Sequence, residues 1–545
     1  MTVERMLIIN LTRMGDLVQM LGLLGGLRRR WPQARLDVLA MRAFAGILEQ
    51  FPYIDNVITL DDRLLMEGAD PWAGYIELKE KTALLSETQY NVVISPVVSQ
   101  QAAWLGYLIH APEKRGMFVN ADRERTITTE WTAFHLANEH HLGDRTFNLV
   151  DIFARVGGVP ACPQDYRLEP GDEAREKAAA LWQENGLDGM QVVGVHTGAS
   201  RSNKAWEPQK FRVVIERLLQ APGRVVVLFG GYNELALEPL FASLQHPRFV
   251  NLLGKSGLRE LTALLARLDL LLVNDTGPMH LAAAMGTPVL NLSLGPVSLW
   301  ETGPYLPGAN ILQADAPCHP CAFDRVCDHL LCHEAVTPEG VCGVAEALLA
   351  GAVPTAPEGT LLWRTRTDPF GLLHNVPAQP RPIRRRELYF EAKRAVWAMT
   401  VVPELDRNRD WPDVFRQDLA EHYHVAPFDY TPELALLDDL ATRAGALTSA
   451  LRELARLKPE SQKVVESIKR RWGYIREQKE ALNELAREAH DCYDLFLYAR
   501  FRESSLDGND FARLTRNTAT IYADLALQLQ VLGRLIRSYH ATDSQ

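Results

Sequence analysis

The sequence predicts two successive α/β domains, each a doubly wound parallel sheet, followed by an all-α region. Three observations carry this expectation. Short apolar runs alternate with helix-length stretches over the first hundred residues, the same alternation restarts near residue 192, and strand signals are absent beyond residue 382.

The first run, Met6 to Asn10 (MLIIN), is followed after a turn by a helical stretch from Asp16 to Trp31. The next strand is Leu36 to Ala40 (LDVLA), which completes a βαβ unit. Asn56 to Leu60, the helix-like Tyr75 to Leu85, and Asn91 to Ser95 continue the alternation, so a domain over 1–165 is expected. Glu173 to Asn185 reads as a connecting helix, and a linker near 160–190 would permit hinge motion. Val192 to His196 opens a second series, with Arg224 to Phe229, Phe249 to Leu253, Leu270 to Asn274 and Pro288 to Leu292 as further strands, giving a domain over 166–355. Such sheets bind ligands beyond the carboxyl ends of their strands, so the loops after strands are where chemistry is sought.

Ala352 to Pro382 is rich in proline and glycine and reads as a linker. In the region 380–545 Leu440, Ala444, Leu447, Leu451 and Leu454 recur at spacings of four and three. Val465, Ile468, Trp472, Ile475, Leu482, Ala486, Ala489, Tyr493 and Phe496 follow similar spacings. These stripes predict packed helices with a structural or assembly role, including a homo-oligomer through this domain.

A composition of 47% hydrophobic and 23% charged residues excludes disorder, and a net charge of -10 gives no general reason to bind nucleic acid. Local basic runs, Arg28 to Arg30 and Arg384 to Arg386, read as solvated faces or as docking points for an anionic membrane surface. The opening Met-Thr-Val-Glu-Arg runs straight into a strand, and no apolar run reaches the roughly 18 residues that span a bilayer. A cytoplasmic protein is expected, with peripheral association at the inner face of the cytoplasmic membrane. In that reducing setting the seven cysteines, four of them within fifteen residues, favour thiols or a metal over disulfides.

Four segments sit where chemistry would. Gly15-Asp16 places a carboxylate at a strand-to-helix turn, where a helix cap is the simpler reading. His196 to Trp206 follows a strand and supplies the Thr197 and Ser200 hydroxyls, the Gly198 backbone and Lys204, a set suited to phosphate oxygens but also an ordinary loop composition. Gly230-Gly231-Tyr232-Asn233-Glu234 offers close backbone approach and a carboxylate for ribose hydroxyls. Asp275-Thr276-Gly277-Pro278-Met279-His280 leads into an apolar helix whose free amides form an anion site, while His280 reads equally as a core histidine.

In order and spacing these four segments resemble glycosyltransferase family 9, the bacterial heptosyltransferases that use ADP-heptose, over about residues 6 to 350. The resemblance implies a GT-B fold of two facing Rossmann-like domains, with donor nucleotide in the second and acceptor against the first. It implies inverting transfer in which Asp16 is the general base and Lys204 stabilises the charge growing on ADP, with no cofactor required. Thr197, Gly198, Ser200, Gly231, Glu234, Gly254, Asp275, Thr276, Gly277 and His280 would then bind the donor. The chain departs from the family in having Met20-Leu21-Gly22 where a Thr-x-Pro turn is common, and in its helical C-terminal domain. A lipopolysaccharide core, another glycolipid, a surface polysaccharide or a protein are thus all candidate acceptors. Another nucleotide sugar, or a transferase-like assembly scaffold, are the alternative functions.

Cys318-x2-Cys321-x5-Cys327-x4-Cys332 is a candidate structural site for zinc or iron, with free buried thiols and a redox role as the other readings.

Overall fold

The computed structural model describes residues 3–61, 70–138, 145–321, 327, 329–406, 408–424, 428–458, 460–506 and 510–540. Two compact units are present. One comprises Met1–Phe118 with Phe147–Gln379, the other Val119–Thr146 with Pro380–Gln545.

The first unit holds two sheets. In the first, β1 (Arg5–Asn10), β2 (Arg35–Met41), β3 (Asn56–Leu60), β4 (Val92–Ser95) and β5 (Glu113–Val119) lie in the order β3-β2-β1-β4-β5. All these pairs are parallel, with Ile8 opposite both Val38 and Ile94. Met6, Leu7, Ile8 and Ile9 are wholly buried, as expected for a central parallel strand covered on both faces. A short strand, β6 (Arg125–Ile127), belongs to the second unit. The helix expected over Asp16 to Trp31 is two helices, Met14–Gln19 and Leu21–Arg30, which meet at Met20. In the Arg28 to Arg30 run Arg29 and Arg30 are exposed, as a solvated face predicts, and all three also bond within the domain. Arg28 donates to the Ala34 and Tyr53 carbonyls and pairs with Asp55, Arg29 pairs with Asp165, and Arg30 donates to the Gly158 carbonyl. Their cations are used as staples within the domain.

The second sheet contains β7 (Gln191–His196), β8 (Arg224–Gly230), β9 (Phe249–Leu253), β10 (Leu270–Asn274), β11 (Val289–Ser293), β12 (Asn310–Ala314), β13 (Thr360–Thr367) and β14 (Leu373–Pro377). Their order is β14-β13-β12-β11-β10-β7-β8-β9. The pairs from β9 to β12 are parallel, and β13 and β14 join antiparallel. These last two strands lie inside the stretch expected to be a linker. The proline and glycine there belong to the flanks and to a tight turn in which Asp368 Oδ1 accepts from the Phe370 and Leu372 amides at 2.9 Å. Between them Leu362, Trp363 and Thr365 are buried, and the Trp363 indole donates to Gln313 at 2.7 Å.

Each sheet reverses direction once. The reversal lies between β1 and β4 in the first sheet and between β7 and β10 in the second, and an open α/β sheet forms its ligand crevice at that point.

The second unit is helical. Its main helices are Glu130–Asn138, Arg385–Val401, Thr431–Leu454, Gln462–Glu488, Tyr493–Ser504 and Phe511–His540. Leu440, Ala444, Leu447, Leu451 and Leu454 are buried as their spacing predicts, and Leu525, Leu529, Leu532, Leu535 and Ile536 form the matching stripe of the last helix. Trp397 packs edge-on against Phe134, at 4.9 Å, and Tyr498, at 5.1 Å, which fixes the helix Glu130–Asn138 in this core. The second expected stripe is only partly inside. Ile475, Leu482, Ala486, Ala489 and Phe496 are buried, Val465 and Ile468 are half-buried, and Trp472 is 44% exposed. A turn at His490–Cys492 breaks the helix, so residues on its two sides do not share one face. No described helix is long and apolar enough to cross a membrane.

Candidate active site

The loops after β7, β8, β9 and β10 lie along one edge of the second sheet, and the turn after β1 meets them. A Cβ on Gly277 would overlap the Met14 side chain, and one on Gly15 would lie 3.4 Å from the His280 ring. The helices Met14–Gln19 and Gly277–Ala284 therefore approach through their first turns. This brings Asp16 within electrostatic reach of Asp275.

Asp16 stands in the first turn of its helix. Desolvation is the largest influence on its carboxyl and raises its pKa above the ordinary value. The Thr12 hydroxyl, the Arg13 backbone and the Arg13 charge work against that rise, and the Asp275 charge adds to it. Thr12 is itself held by Asn10, whose Oδ1 accepts from the Thr12 hydroxyl and whose Nδ2 donates to the Asp16 carbonyl at 3.4 Å. A short strand end thus positions both the carboxylate and its hydroxyl partner.

Across the second sheet's reversal point, Lys204 Nζ donates to Asp275 Oδ1 at 2.8 Å, with 14% and 6% of the two side chains exposed. The other carboxylate oxygen accepts from Thr302 Oγ1 at 2.8 Å. Asp275 is thereby an anchor for the lysine, which answers the apparent misplacement of a carboxylate beside an anion site. Asn274 aligns the loops: its Nδ2 donates to the Thr197 carbonyl at 2.9 Å and its Oδ1 accepts from the Trp206 amide at 3.1 Å. Trp206 is wholly buried and its indole donates to the Val336 carbonyl at 3.0 Å, so the tryptophan two residues after Lys204 is the peg that fixes the loop.

The helix start Gly277–Ala284 is narrower as an anion site than its sequence suggests. Pro278 has no N–H, and the Met279 amide turns back to the Thr276 carbonyl at 3.0 Å. The Thr276 and Gly277 amides are the donors left at its tip among the described residues. His280 is buried, and desolvation lowers its pKa to about 4 despite the Asp275 charge, so its imidazole is neutral near pH 7.

Glu234 forms a second group with Gly198, Gly231 and Gly254. Its Oε2 accepts from the Gly231 amide at 2.7 Å, capping its own turn, and a Cβ on Gly198 would overlap its other oxygen. Gly254, at φ +67°, donates to the Gly230 carbonyl at 2.9 Å, a left-handed turn that glycine adopts without strain. Thr197 is buried, Gly198 half-buried and Ser200 exposed at the loop rim. Asp16, Lys204, Asp275, Thr276, Gly277 and His280 thus form one cluster, with Thr197, Gly198, Gly231, Glu234 and Gly254 alongside it at the ends of β7 to β9.

Four cysteines stand apart from these clusters. All are free thiols, Cys321 and Cys332 are buried, and burial raises the Cys332 pKa, with Cys327 and Cys318 adding to the rise. Among the described residues only Asp418, Glu421 and His422 bring three candidate ligand atoms within 4.8 Å of one another. No three of the four sulfurs lie within 4.8 Å of one another as placed, wider than a tetrahedral metal site holds its thiolates.

Several positioning residues escaped the sequence reading. Thr302 and Asn274 carry no motif signal, and Asp151 is hidden in an apolar helix, Leu149–Val156. Asp151 is wholly buried, accepts from the Tyr305 hydroxyl at 2.9 Å and from the Leu373 amide at 3.0 Å, and has its pKa raised to about 6 by burial. With Asn148 Nδ2 donating to the Gly303 carbonyl at 3.0 Å, it ties the helix that follows the first sheet to the second.

Two doubly wound sheets that present their reversal points to one site, with a raised carboxyl from the first and an anchored lysine from the second, define a GT-B glycosyltransferase. Residues 81–330 match the model of glycosyltransferase family 9 (heptosyltransferase). The chain is 25% identical over 364 residues to lipopolysaccharide heptosyltransferase 1 of Pseudomonas aeruginosa, covering 63% of this chain and 98% of that protein. It is 23% identical over 287 residues to the lipopolysaccharide core heptosyltransferase OpsX of Haemophilus influenzae, covering 52% and 77%. The crystal structure of a family 9 glycosyltransferase from Veillonella parvula shares the fold, with a TM-score of 0.52 at 23% identity over 65% of this chain and 99% of that one. Residues 81–330 are thus similar to glycosyltransferase family 9, and the heptosyltransferase relatives extend the likeness over up to 63% of the chain.

Proposed function

We propose that the enzyme transfers a heptose from ADP-heptose, with inversion, to a hydroxyl of a bacterial glycoconjugate, a lipopolysaccharide core or a related glycan or protein. The observation that carries this reading is the approach of the Gly15-Asp16 turn to the helix start at Gly277, which sets a carboxyl of raised pKa opposite an anchored lysine. Donor and acceptor divide between the two sheets. The ADP diphosphate lies at Lys204, Thr197 to Ser200 and the Thr276 and Gly277 amides, with Asp275 holding Lys204 and neutral His280 closing the floor. Glu234 and Gly231 face the ribose, and Gly254 borders the adenine. The acceptor rests against the first sheet, its hydroxyl beside Asp16.

In the transfer, Asp16 takes the proton of the acceptor hydroxyl as that oxygen attacks the anomeric carbon from the face opposite the diphosphate. The C1–O bond to ADP breaks, and the negative charge on the leaving phosphate is met by the Lys204 ammonium and the two backbone amides. No group outside the chain is needed to balance this step. The relatives named as lipopolysaccharide heptosyltransferases support a lipopolysaccharide acceptor.

Asp16→Asn tests the assignment. Lost general-base help lowers turnover by roughly 10² or more, while ADP binding, read by thermal shift, stays near wild type. Because burial raises the Asp16 pKa, the wild-type rate climbs with pH through a range above that of ordinary carboxylates, as the base loses its proton. Turnover of the Asn variant near wild type removes Asp16 from this role.

A further inference from the structure

A cavity of about 380 Å³ lies within the helical unit and is unconnected with the donor chemistry. Its size is at the lower end of the range of small-molecule sites, about 300–1,000 Å³. Its apolar lining includes Val396, Leu405, Trp411 and Leu527. Its polar lining is a hydrogen-bonding array. Arg502 pairs with Asp524 at 2.8 Å and with Glu130 at 3.4 Å, and the Gln528 amide donates to Thr400 Oγ1 at 3.2 Å.

Tyr498 completes that array and is its unexplained member. Its side chain is 1% exposed, yet its hydroxyl has no hydrogen-bond partner among the described residues. The Arg502 guanidinium stacks 5.5 Å from the centre of its ring. A buried hydroxyl with no partner is costly in an apolar setting, and one that lines a cavity is relieved by a ligand atom that bonds to it.

The pattern selects the ligand class. The guanidinium offsets one of the two carboxylate charges, so an anion would meet the net negative charge that remains. The group awaiting a partner is a neutral hydroxyl, which bonds equally to another hydroxyl as donor or acceptor. Planar carboxylate, guanidinium and amide groups suit adjacent hydroxyls, and the apolar side chains of the lining suit a C–H face. A neutral sugar ring has both faces; a simple organic cation has no edge of hydroxyls to match the array.

We propose that this cavity is a saccharide-binding site, taking one or two neutral sugar residues with a ring hydroxyl on Tyr498 and a vicinal pair on Arg502 and Asp524. The assignment needs only the helical unit's own residues and stands whether or not the donor is ADP-heptose. The ring comes from an acceptor glycan or from free sugar, and the two share this chemistry.

The test is saturation-transfer NMR on the full chain with methyl glycosides of glucose, galactose and mannose, with the matching oligosaccharides as a second arm and tetraethylammonium as the cation probe. At least one glycoside gives a saturable signal that falls fivefold or more in Tyr498→Phe and in Leu527→Trp, which fills the mouth at a side chain that is 53% exposed. Tighter binding of an oligosaccharide than of its methyl glycoside identifies a glycan chain as the source, and equal binding identifies free sugar. Tyr498→Phe removes a hydroxyl without a partner and Leu527→Trp alters the surface, so both variants keep the wild-type ADP thermal shift and melting temperature. The proposal is overturned if no glycoside saturates, if the signal survives both variants, if ADP displaces it, or if only tetraethylammonium shows Tyr498-dependent binding. Loss of ADP binding with the sugar signal intact counts against the transferase reading alone.

Discussion

Replacing Lys204 by alanine separates the two roles of that side chain, because its partner is nearly buried. Asp275 keeps only 6% of its side chain exposed, and Lys204 supplies one of the two bonds its carboxylate accepts. Removing one partner of a buried ion pair costs about 3–5 kcal/mol, and the Thr302 hydroxyl that still bonds the other oxygen places this case at about 3 kcal/mol. Adding Asp275→Asn removes the stranded charge, so the double variant should recover most of that loss. Turnover should not recover. A missing positive group at a developing phosphate charge costs about 10²–10³ in rate, and the second substitution does nothing to restore it. Urea denaturation without nucleotide, followed by fluorescence, gives the stability arm for the wild type, both single variants and the pair, and heptosyl transfer under saturating donor gives the other. Wild-type stability in Lys204→Ala would mean that the ion pair contributes nothing in solution, and turnover restored in the double variant would make Lys204 a structural residue only.

Asp151 predicts a pH signature. Burial raises its folded pKa to about 6 from an ordinary 3.8, so between those values the native state holds a proton that the unfolded state has released. Stability contributed by the protonated form is complete below about pH 4 and declines as pH rises toward 6, by roughly 3 kcal/mol at 1.36 kcal/mol per pKa unit; Asp151→Asn should flatten that decline, and an unchanged slope in denaturation curves from pH 4 to 7 would refute it. Truncation at residue 379 strands 119–146 without the core they complete, leaving Trp131 and Phe134, 5% and 0% exposed in the whole chain, without Trp397. The truncated chain should aggregate in size-exclusion chromatography, while one that also replaces 119–146 by a short flexible loop stays dispersed; a well-behaved simple truncation would show that the segment does not depend on the helical core.

The sequence reading reached furthest where a local pattern had a single physical cause. β1 and β7 are central strands covered on both faces, so they appear as unbroken apolar runs, and the loops that follow them carry Asp16 and Lys204. It failed where a neighbour decides the outcome. β13 pairs antiparallel with β12 across nearly fifty residues, and its alternation of buried Leu362, Trp363 and Thr365 with Arg364 and Arg366 sits between turns whose prolines and glycines mask it. Trp472 follows helical spacing yet is 44% exposed, its ring set edge-on against the likewise exposed Phe511. Thr302, Asn274 and Asp151 act through bonds to residues 27, 77 and 222 positions away, and no local pattern records such partners.

The passage of residues 119–146 into the helical core sets an order on the birth of the molecule. Phe134 leaves the ribosome some 263 residues ahead of Trp397, the ring it packs against. At about 5–20 residues per second, that is a wait of roughly 13–50 s. By the end of this interval the α/β unit has all of its strands available, while an aromatic segment of the helical unit, Trp131 and Phe134, lies in sequence between two parts of that domain without the Trp397 ring it packs against. A nascent chain paused anywhere from residue 380 to 397 would present this segment to chaperones, and synonymous changes that slow decoding there should raise the fraction of enzyme lost to aggregation before any catalytic residue is affected.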